Sequence, residues 1–389
     1  RSNGSVKTCG VHDMVRNLCL LKAKEENFLK LVTNSDEPYA SFDDNVDFDD
    51  FDPSNSVIYE EHRLCMSMSR QHFVVSRPSG PYVRSLLFFA TNDAYPRCPY
   101  NVSFISENFE LLKVLDLESI NMGSSFTDGI DLLVQLSYLA VGGDIDSIPS
   151  SLANLRNLET LLVKGLKGKV VLPDSIWHMT RLRHVHVTNH AAFTLKNMTG
   201  SYYQLSNLVS LSMPTLSYGE HAEIITRRLP NLRDLSCIFS KSRGFSTDCY
   251  QFPRLEDLTR LESLKVVYRG KTTNTGEFNF PSSLKKLSLS NFFFRQDHIS
   301  SIGRLANLEV LKLLSSSYED AIWGMGEGEF PELKFLKLDS LNIVEWNASS
   351  DHLPNLQHLV LRKCENLKEV PIDFMNIPTL QLIEVQGSG

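Results

Sequence analysis

Two pairs of side chains at alternate positions are the first candidates for chemistry in this sequence, His184-x-His186 and Asp116-x-Glu118. On an extended strand, residues two apart project from the same side. The first pair therefore brings two imidazoles together, as a metal site needs, and the second brings two carboxylates together, as general acid–base work needs. Neither set is completed. The positions that flank the histidines in neighbouring segments hold Thr160, Lys164, Ser210 and Ser212 rather than Cys or carboxylates, and nothing in the sequence builds a convergent pocket around Asp116 and Glu118. Gly-x-Ser-x-Gly, His-Glu-x-x-His and Cys-x-x-Cys are absent, as is the Gly-x-x-x-x-Gly-Lys-[Ser/Thr] loop that cradles nucleotide phosphates. The expectation is a chain that is not an enzyme and that holds no catalytic residue, metal or cofactor of its own.

The elements that position these residues recur. Leu112-x-x-Leu115-x-Leu117 returns with substitutions to the C-terminus, its central residue being Leu115, Leu139, Leu161, Val185, Leu211, Leu235, Leu264, Leu287, Leu311, Leu336, Leu359 and Ile383 in turn. The separations run from 22 to 29 residues, and a degenerate copy, Val83-x-x-Leu86-x-Phe88, lies 29 residues before Leu115. A strand of this pattern turns its central and following leucines into one layer, and one such unit cannot close a core. Parallel strands stacked about 4.8 Å apart bury each layer against the next. Between strands, Ile148-Pro149-Ser150-Ser151-Leu152, Leu172-Pro173-Asp174-Ser175-Ile176 and Val370-Pro371-Ile372-Asp373-Phe374 repeat a second signature, in which Pro interrupts helix while the flanking apolar residues face inward. Long segments of 3.6-residue periodicity are missing, which argues against a helical array. Period and pattern read as leucine-rich repeats, an α/β solenoid or horseshoe of about 13 parallel strands.

The 389 residues are 42% hydrophobic and 22% charged, enough apolar content for an extended core. No run of 18 apolar residues spans a membrane. The N-terminus lacks the apolar core of a secretory signal, and the chain reads as a fragment. Seven Cys, at 9, 19, 65, 98, 237, 249 and 364, form an odd set without capping pairs, whereas four Asn-x-Ser/Thr sequons begin at Asn3, Asn101, Asn197 and Asn347. The balance favours a reducing, cytoplasmic setting. Between Asp36 and Asp52 lie eight Asp/Glu and no Lys or Arg, so a net charge of −7 leaves about +1 (−7 minus −8) elsewhere. Charge therefore gives no argument for nucleic acid.

In chain order, Met14, Leu18 and Leu21 recur at helical spacing behind Asp13 as N-cap, which predicts a helix over about 13–27. Phe28 to Val32 continues it or forms a short strand. Val11-His12-Asp13, the following Met14-Val-Arg-Asn-Leu-Cys-Leu and Glu25-Glu-Asn-Phe-Leu29 resemble the end of the nucleotide-binding module of plant intracellular immune receptors of the coiled-coil class, nearest to nightshade late-blight resistance proteins and their helper relatives. The family's tripeptide is usually Met-His-Asp; Val11 takes the first place here. The resemblance covers the whole chain. It implies that His12 contacts the phosphate of bound ADP in the inactive state and that Asp13 supports it, only in the full-length receptor, where ADP or ATP is the cofactor. It divides the chain into the end of the nucleotide-binding module (1–32), an acidic linker (33–60) and the repeat domain (61–389). Leu64, Met66 and Met68 alternate as an edge strand at the start of the repeats. The inter-strand segments 91–108 and 240–257 are overlong and read as surface or binding loops.

Function is expected on the concave face, where the non-core strand positions project. They are acidic first, with Asp116 and Glu118 near Tyr138 and Lys164. His184 and His186 follow, and the last third carries a basic column of Lys265, Lys286, Lys312, Lys337 and Arg362 beside His358, with Val310, Leu314 and Phe335 exposed as an apolar centre. The resemblance implies a domain that folds back on the receptor's own nucleotide-binding core and responds to a pathogen effector or to a sensor or helper immune receptor. Membrane and nucleic acid are not expected partners. The alternative is an extracellular repeat receptor or inhibitor, which the sequons support but which predicts Leu-x-Gly-x-Ile-Pro segments and Cys-capped ends that do not occur. A ubiquitin-ligase adaptor would need an F-box-like helical segment upstream.

Overall fold

Strand follows strand at the spacing that the apolar repeat dictates. In a computed structural model the described residues are 13–26, 28–33, 57–91, 99–123, 129–166, 168–194, 203–217, 220–240, 252–270 and 277–387. The chain divides into two units between Leu208 and Val209. The expectations placed on His12 and on the acidic run 36–52 lie outside the described residues.

The N-terminal unit begins with helix α1 (Asp13–Glu25), whose Met14, Leu18 and Leu21 are all exposed. Phe28 to Val32, left open between helix and strand, supplies β1 (Lys30–Thr33). Then come β2 (Arg63–Met68), β3 (Ser85–Ala90), β4 (Val114–Asn121), β5 (Tyr138–Gly143), β6 (Thr160–Gly165), β7 (Lys169–Leu172) and β8 (His184–Phe193). All pairings are parallel in the order β1-β2-β3-β4-β5-β6-β8, and β7 lies against the far half of β8. The strand expected at Leu64–Met68 is present, but it is interior, because β1 pairs with it from Lys30↔Leu64 to Thr33↔Ser67. The sheet thus starts ahead of the boundary drawn at 61.

The C-terminal unit repeats the plan through β9 (Ser210–Ser217), β10 (Asp234–Ser240), β11 (Ser263–Arg269), β12 (Lys286–Ser290), β13 (Phe293–Phe294), β14 (Val310–Leu314), β15 (Ser317–Tyr318), β16 (Ile322–Gly324), β17 (Phe335–Asp339), β18 (Glu345–Asn347), β19 (His358–Arg362) and β20 (Leu382–Gln386). The main sheet is parallel in the order β9-β10-β11-β12-β14-β17-β19-β20, while β13-β15 and β16-β18 form two small parallel ladders of their own.

Within each unit the central residues stand directly opposite one another. Leu86, Leu115, Leu139, Leu161 and Val185 are in register, as are Leu211, Leu235, Leu264, Leu287, Leu311, Leu336, Leu359 and Ile383. From Leu86 to Leu359 each is no more than 2% exposed. Ile383 departs from its row at 41% exposed, since among the described residues no strand follows β20.

The Pro-bearing segments fold as single 3-10 turns over Ser150–Asn154, Asp174–His178 and Ile372–Asn376. Each follows its Pro, which has no N–H to lose at that position, and each buries the expected apolar residue, Leu152, Ile176 and Phe374. Behind the C-terminal sheet an aromatic column runs through Phe278, Phe292, Phe294, Tyr318, Trp323, Trp346 and Phe374. Trp323 and Trp346 stack with centroids 4.9 Å apart, and Trp346 meets Phe374 edge-on at 5.0 Å.

Backbone turns between repeats are tied by asparagines that a fixed offset from the central leucine does not locate. Counting to the ninth repeat position lands on Ile120 and His190, whereas the ties are Asn121, where β4 and β5 shift register between Leu117 and Asn121, and Asn189, whose Nδ2 donates to Gly165 O. Asn121 Oδ1 accepts the N–H groups of Gly123 (3.0 Å) and Asp144 (3.2 Å). Gly143, at φ 141°, passes so close that a Cβ there would lie 2.6 Å from this oxygen, so glycine is required for the tie. A second ladder joins successive turns: Asn157 to Val134 O (3.0 Å), Asn307 to Ser282 O (2.9 Å) and Asn355 to Pro331 O (2.8 Å).

Leu311 is fully buried between Leu287 and Leu336. Leu311→Ala is expected to lower unfolding free energy by about 2–5 kcal/mol, read by chemical denaturation, and Leu311→Asp to prevent accumulation of folded chain. Parent-like melting of both variants would show the register to be wrong.

Candidate interaction surface

On the open face of the N-terminal sheet the middle row runs in register through Leu31, Cys65, Leu87, Asp116, Ala140, Leu162 and His186. The row before it holds Val114, Tyr138, Thr160 and His184. The expected acidic beginning of this face is largely internal. Glu118 Oε1 pairs with Lys164 Nζ at 3.1 Å, and Asp116 Oδ1 accepts the Glu118 N–H at 3.0 Å. What remains is one carboxylate in an apolar row. Burial pushes the Asp116 carboxyl up, the Glu118 N–H and the Lys164 charge pull it back, and the Glu118 charge adds to the rise. Burial, followed by the charges of Asp116 and Glu118, raises the Tyr138 phenol. His184 and His186 stand opposite Thr160 and Leu162. Among the described residues no three His, Cys, Asp or Glu side chains gather as metal ligands.

The basic residues of the C-terminal sheet do share its open face, but in three rows rather than one. Lys265, Lys312 and Lys337 occupy the middle row, Lys265↔Ser288↔Lys312↔Lys337↔Val360. Lys286 is one row earlier, opposite Val310, and Arg362 one row later, opposite Asp339. The reason is their offset from the central leucine: Lys286 precedes Leu287, Lys312 follows Leu311, and Arg362 is three residues beyond Leu359. Part of the charge is also neutralised within the face. Lys337 Nζ is 3.0 Å from Asp339 Oδ2. Burial alone would raise the Asp339 carboxyl, but hydrogen bonds from Lys337 and Ser340 and the charges of Lys337 and Arg362 outweigh it and hold it below its ordinary value.

Val310 and Phe335, expected to be exposed, are not. They are 8% and 7% exposed and pack with Val360 into a cluster on the open face, while Leu314 is half-buried. Adjacent parallel strands bring side chains of one row close enough to cover each other. Lys312 then lays its stem across the cluster, with Nζ 5.3 Å from the Phe335 ring centroid, and His358 meets the same ring at 6.3 Å. Residue order placed Val310 and Phe335 in an apolar centre of this face; what it missed is that, with Val360, they cover one another. The signal of that cover was the apolar pair Val310 and Phe335 at one offset in consecutive repeats.

Because the folded state raises the Asp116 pKa, it holds that proton more tightly than the unfolded chain does. The ionised form therefore costs stability, a cost absent below the ordinary carboxylate range and fully present above the folded pKa. Asp116→Asn, which keeps an oxygen to accept the Glu118 N–H, is expected to raise the thermal midpoint slightly at pH 7, with the difference closing as pH falls below the carboxylate range. Calorimetry across pH checks this, and a variant less stable than the parent at pH 7 would refute it.

Residues 83–295 match the family model described as a leucine-rich repeat region. Over 99% of its length the chain is 35% identical to the late blight resistance protein homolog R1B-16 of Solanum demissum, of which it covers 29%. It is 34% identical to late blight resistance protein R1-A of the same species, again over 99% of this chain and 29% of that one. The chain thus spans less than a third of the length of these curated relatives. Among solved structures it is similar to an internalin from Listeria monocytogenes, with 16% identity, coverage of 79% of this chain and 81% of that one, and a TM-score of 0.43, a likeness too distant to bear on function. The sequence relatives disfavour the extracellular receptor or inhibitor. Matched by the repeat model over more than half its length and aligned almost end to end with these relatives, the chain belongs to the leucine-rich repeat family, as a repeat region of the kind carried by plant disease-resistance proteins.

Proposed function

We propose that this chain is the sensing and autoinhibitory repeat region of a cytoplasmic plant immune receptor. The observation that carries the proposal is the near end-to-end similarity to late blight resistance proteins. In this reading residues 1–32 close the nucleotide-binding module, 33–60 link it to the repeats, and the open faces of the sheets hold the receptor's own nucleotide-binding core until a pathogen effector or a sensor or helper receptor competes for them. The apolar cluster of Val310, Phe335 and Val360 within its charged margin supports a protein-binding role, since interfaces combine an apolar centre with a polar rim. Such a switch is a two-state equilibrium: a partner acts only through its preference for the open state. Opening leads to defence and the hypersensitive response.

The nucleotide enters this reading only for the longer receptor. ADP or ATP needs a phosphate-cradling loop that the present sequence does not contain, and His12 and Asp13 would report its phosphate from the module's edge. The resident chemistry is binding, not catalysis.

In the complete receptor expressed in leaf tissue, His12→Ala is expected to give cell death without a pathogen. Combined reversal of Lys312, Lys337 and Arg362 to Glu is expected to give either spontaneous death, if an internal contact is lost, or failure to respond, if an external one is lost. Each exposed charge is worth little alone, so single reversals should be nearly silent. A receptor unchanged by His12→Ala and by the triple reversal would sink the reading.

A further inference from the structure

The open face of the N-terminal sheet is apolar around a single carboxylate. Asp116 of β4 stands directly in register between Leu87 of β3 and Ala140 of β5, and Leu162 of β6 continues the row. Val114 precedes Asp116 by two residues on the same side. Phe89, two residues beyond Leu87, extends the apolar floor on that side and is 52% exposed. Tyr138 stands opposite Val114, and its phenol is raised by burial and then by the charge of Asp116, which places the two side chains near each other.

The cations of this face are already engaged. Lys164 Nζ pairs with Glu118 at 3.1 Å, and its charge acts on Asp116 more weakly than burial, the Glu118 N–H or the Glu118 charge does. Arg63 of β2 lies over the Phe28 ring, 4.4 Å from its centroid, and donates to Phe28 O. Asp116 accepts the Glu118 N–H at Oδ1, and among the described residues no donor meets its Oδ2. A partner that covered Leu87, Ala140 and Leu162 with apolar groups alone would shut this carboxylate away from water without a counter-ion, which is strongly unfavourable. The face therefore discriminates against an apolar or acidic partner and favours one that brings a cation to Oδ2.

We infer that the open face of the N-terminal sheet docks a partner polypeptide through an arginine seated on Asp116, with apolar residues beside that arginine covering Leu87, Phe89 and Leu162. Arginine fits this place better than lysine. Its planar fork presents several N–H groups to a carboxylate and its plane stacks on an aromatic ring such as that of Tyr138, whereas an ammonium is a compact, strongly hydrated charge that is costlier to set on an apolar floor. Its methylene stem adds to the apolar cover. The inference rests on the reading of the open faces as protein-binding surfaces and names what the partner must carry.

The test is selection of a display library of random short peptides on the intact chain, followed by fluorescence anisotropy of the strongest binder and of the same peptide with its arginine replaced by citrulline, a neutral isostere, or by lysine. Selected peptides are expected to carry an arginine flanked by apolar residues, and citrulline to weaken binding at least about tenfold. Asp116→Asn keeps an acceptor for the Glu118 N–H. On that variant the arginine and citrulline peptides are expected to bind alike, while circular dichroism and melting show a folded chain. Glu107→Gln, which removes an exposed carboxylate on the short helix Phe104–Asn108, is expected to preserve the discrimination. A library that yields no binder, binders without a basic residue, a citrulline or lysine form that binds as tightly as the arginine form, or discrimination that survives Asp116→Asn would each overturn the inference. Failure here with a receptor that responds to His12→Ala removes the Asp116 contact alone, whereas a receptor insensitive to His12→Ala and to the triple reversal removes the immune reading and leaves the peptide result standing.

Discussion

Everything placed on the open faces depends on one constraint, the stacking of a single leucine position across parallel strands. Leu264, Leu287, Leu311, Leu336 and Leu359 are each essentially without exposed surface and each opposite the next. A slip of one residue in any strand would turn its leucines to solvent and its lysines into the core. The penalty is of the order of several kcal/mol for each buried charge left unpaired, so register is held tightly, and with it the spacing of every exposed group. Lys265, Ser288 and Lys312 are neighbours only because Leu264, Leu287 and Leu311 are.

The same constraint explains why charge on these faces is less free than its sequence suggests. Once strands are locked side by side, positions two residues apart and positions on adjacent strands come within reach of each other. Glu118 then finds Lys164, and Asp339 finds Lys337 with Arg362 nearby. Exposed pairs of this kind contribute modestly to stability. Their larger effect is to subtract charge from the surface that a partner meets.

Behind the sheets the filling is less regular. Prolines at 149, 173 and 371 open short 3-10 turns that seat apolar side chains, Leu152 in the first, Ile176 and Trp177 in the second and Phe374 in the third. The C-terminal unit instead fills much of its depth with aromatic rings, whose edge-on and stacked contacts are each worth a fraction to about 1.5 kcal/mol beyond the area they bury. Cys237 is buried on β10, and burial pushes its thiol up to about 12. It behaves as a small apolar residue, inert towards thiolate chemistry at neutral pH.

The repeat, its strand centres and the turns that follow its prolines were legible from residue order alone, because an alternation of buried leucines and a missing N–H are local facts. Residue order also placed Lys265, Lys312, Asp116 and His186 on a solvent side. It did not determine which of them meet. That Lys286 and Arg362 leave the middle row, that Val310 and Phe335 are covered rather than exposed, and that Lys30–Thr33 pairs with residues 34 further on, Leu64 to Ser67, follow from how strands distant in sequence lie against one another. Offsets from the nearest leucine set the row, and side chains from adjacent strands set the exposure. Asn121 shows the limit most clearly: between Leu117↔Val141 and Asn121↔Gly142 β4 advances four residues while β5 advances one, and it is Asn121 that then ties the turn, an irregularity that only the packing of β4 against β5 decides.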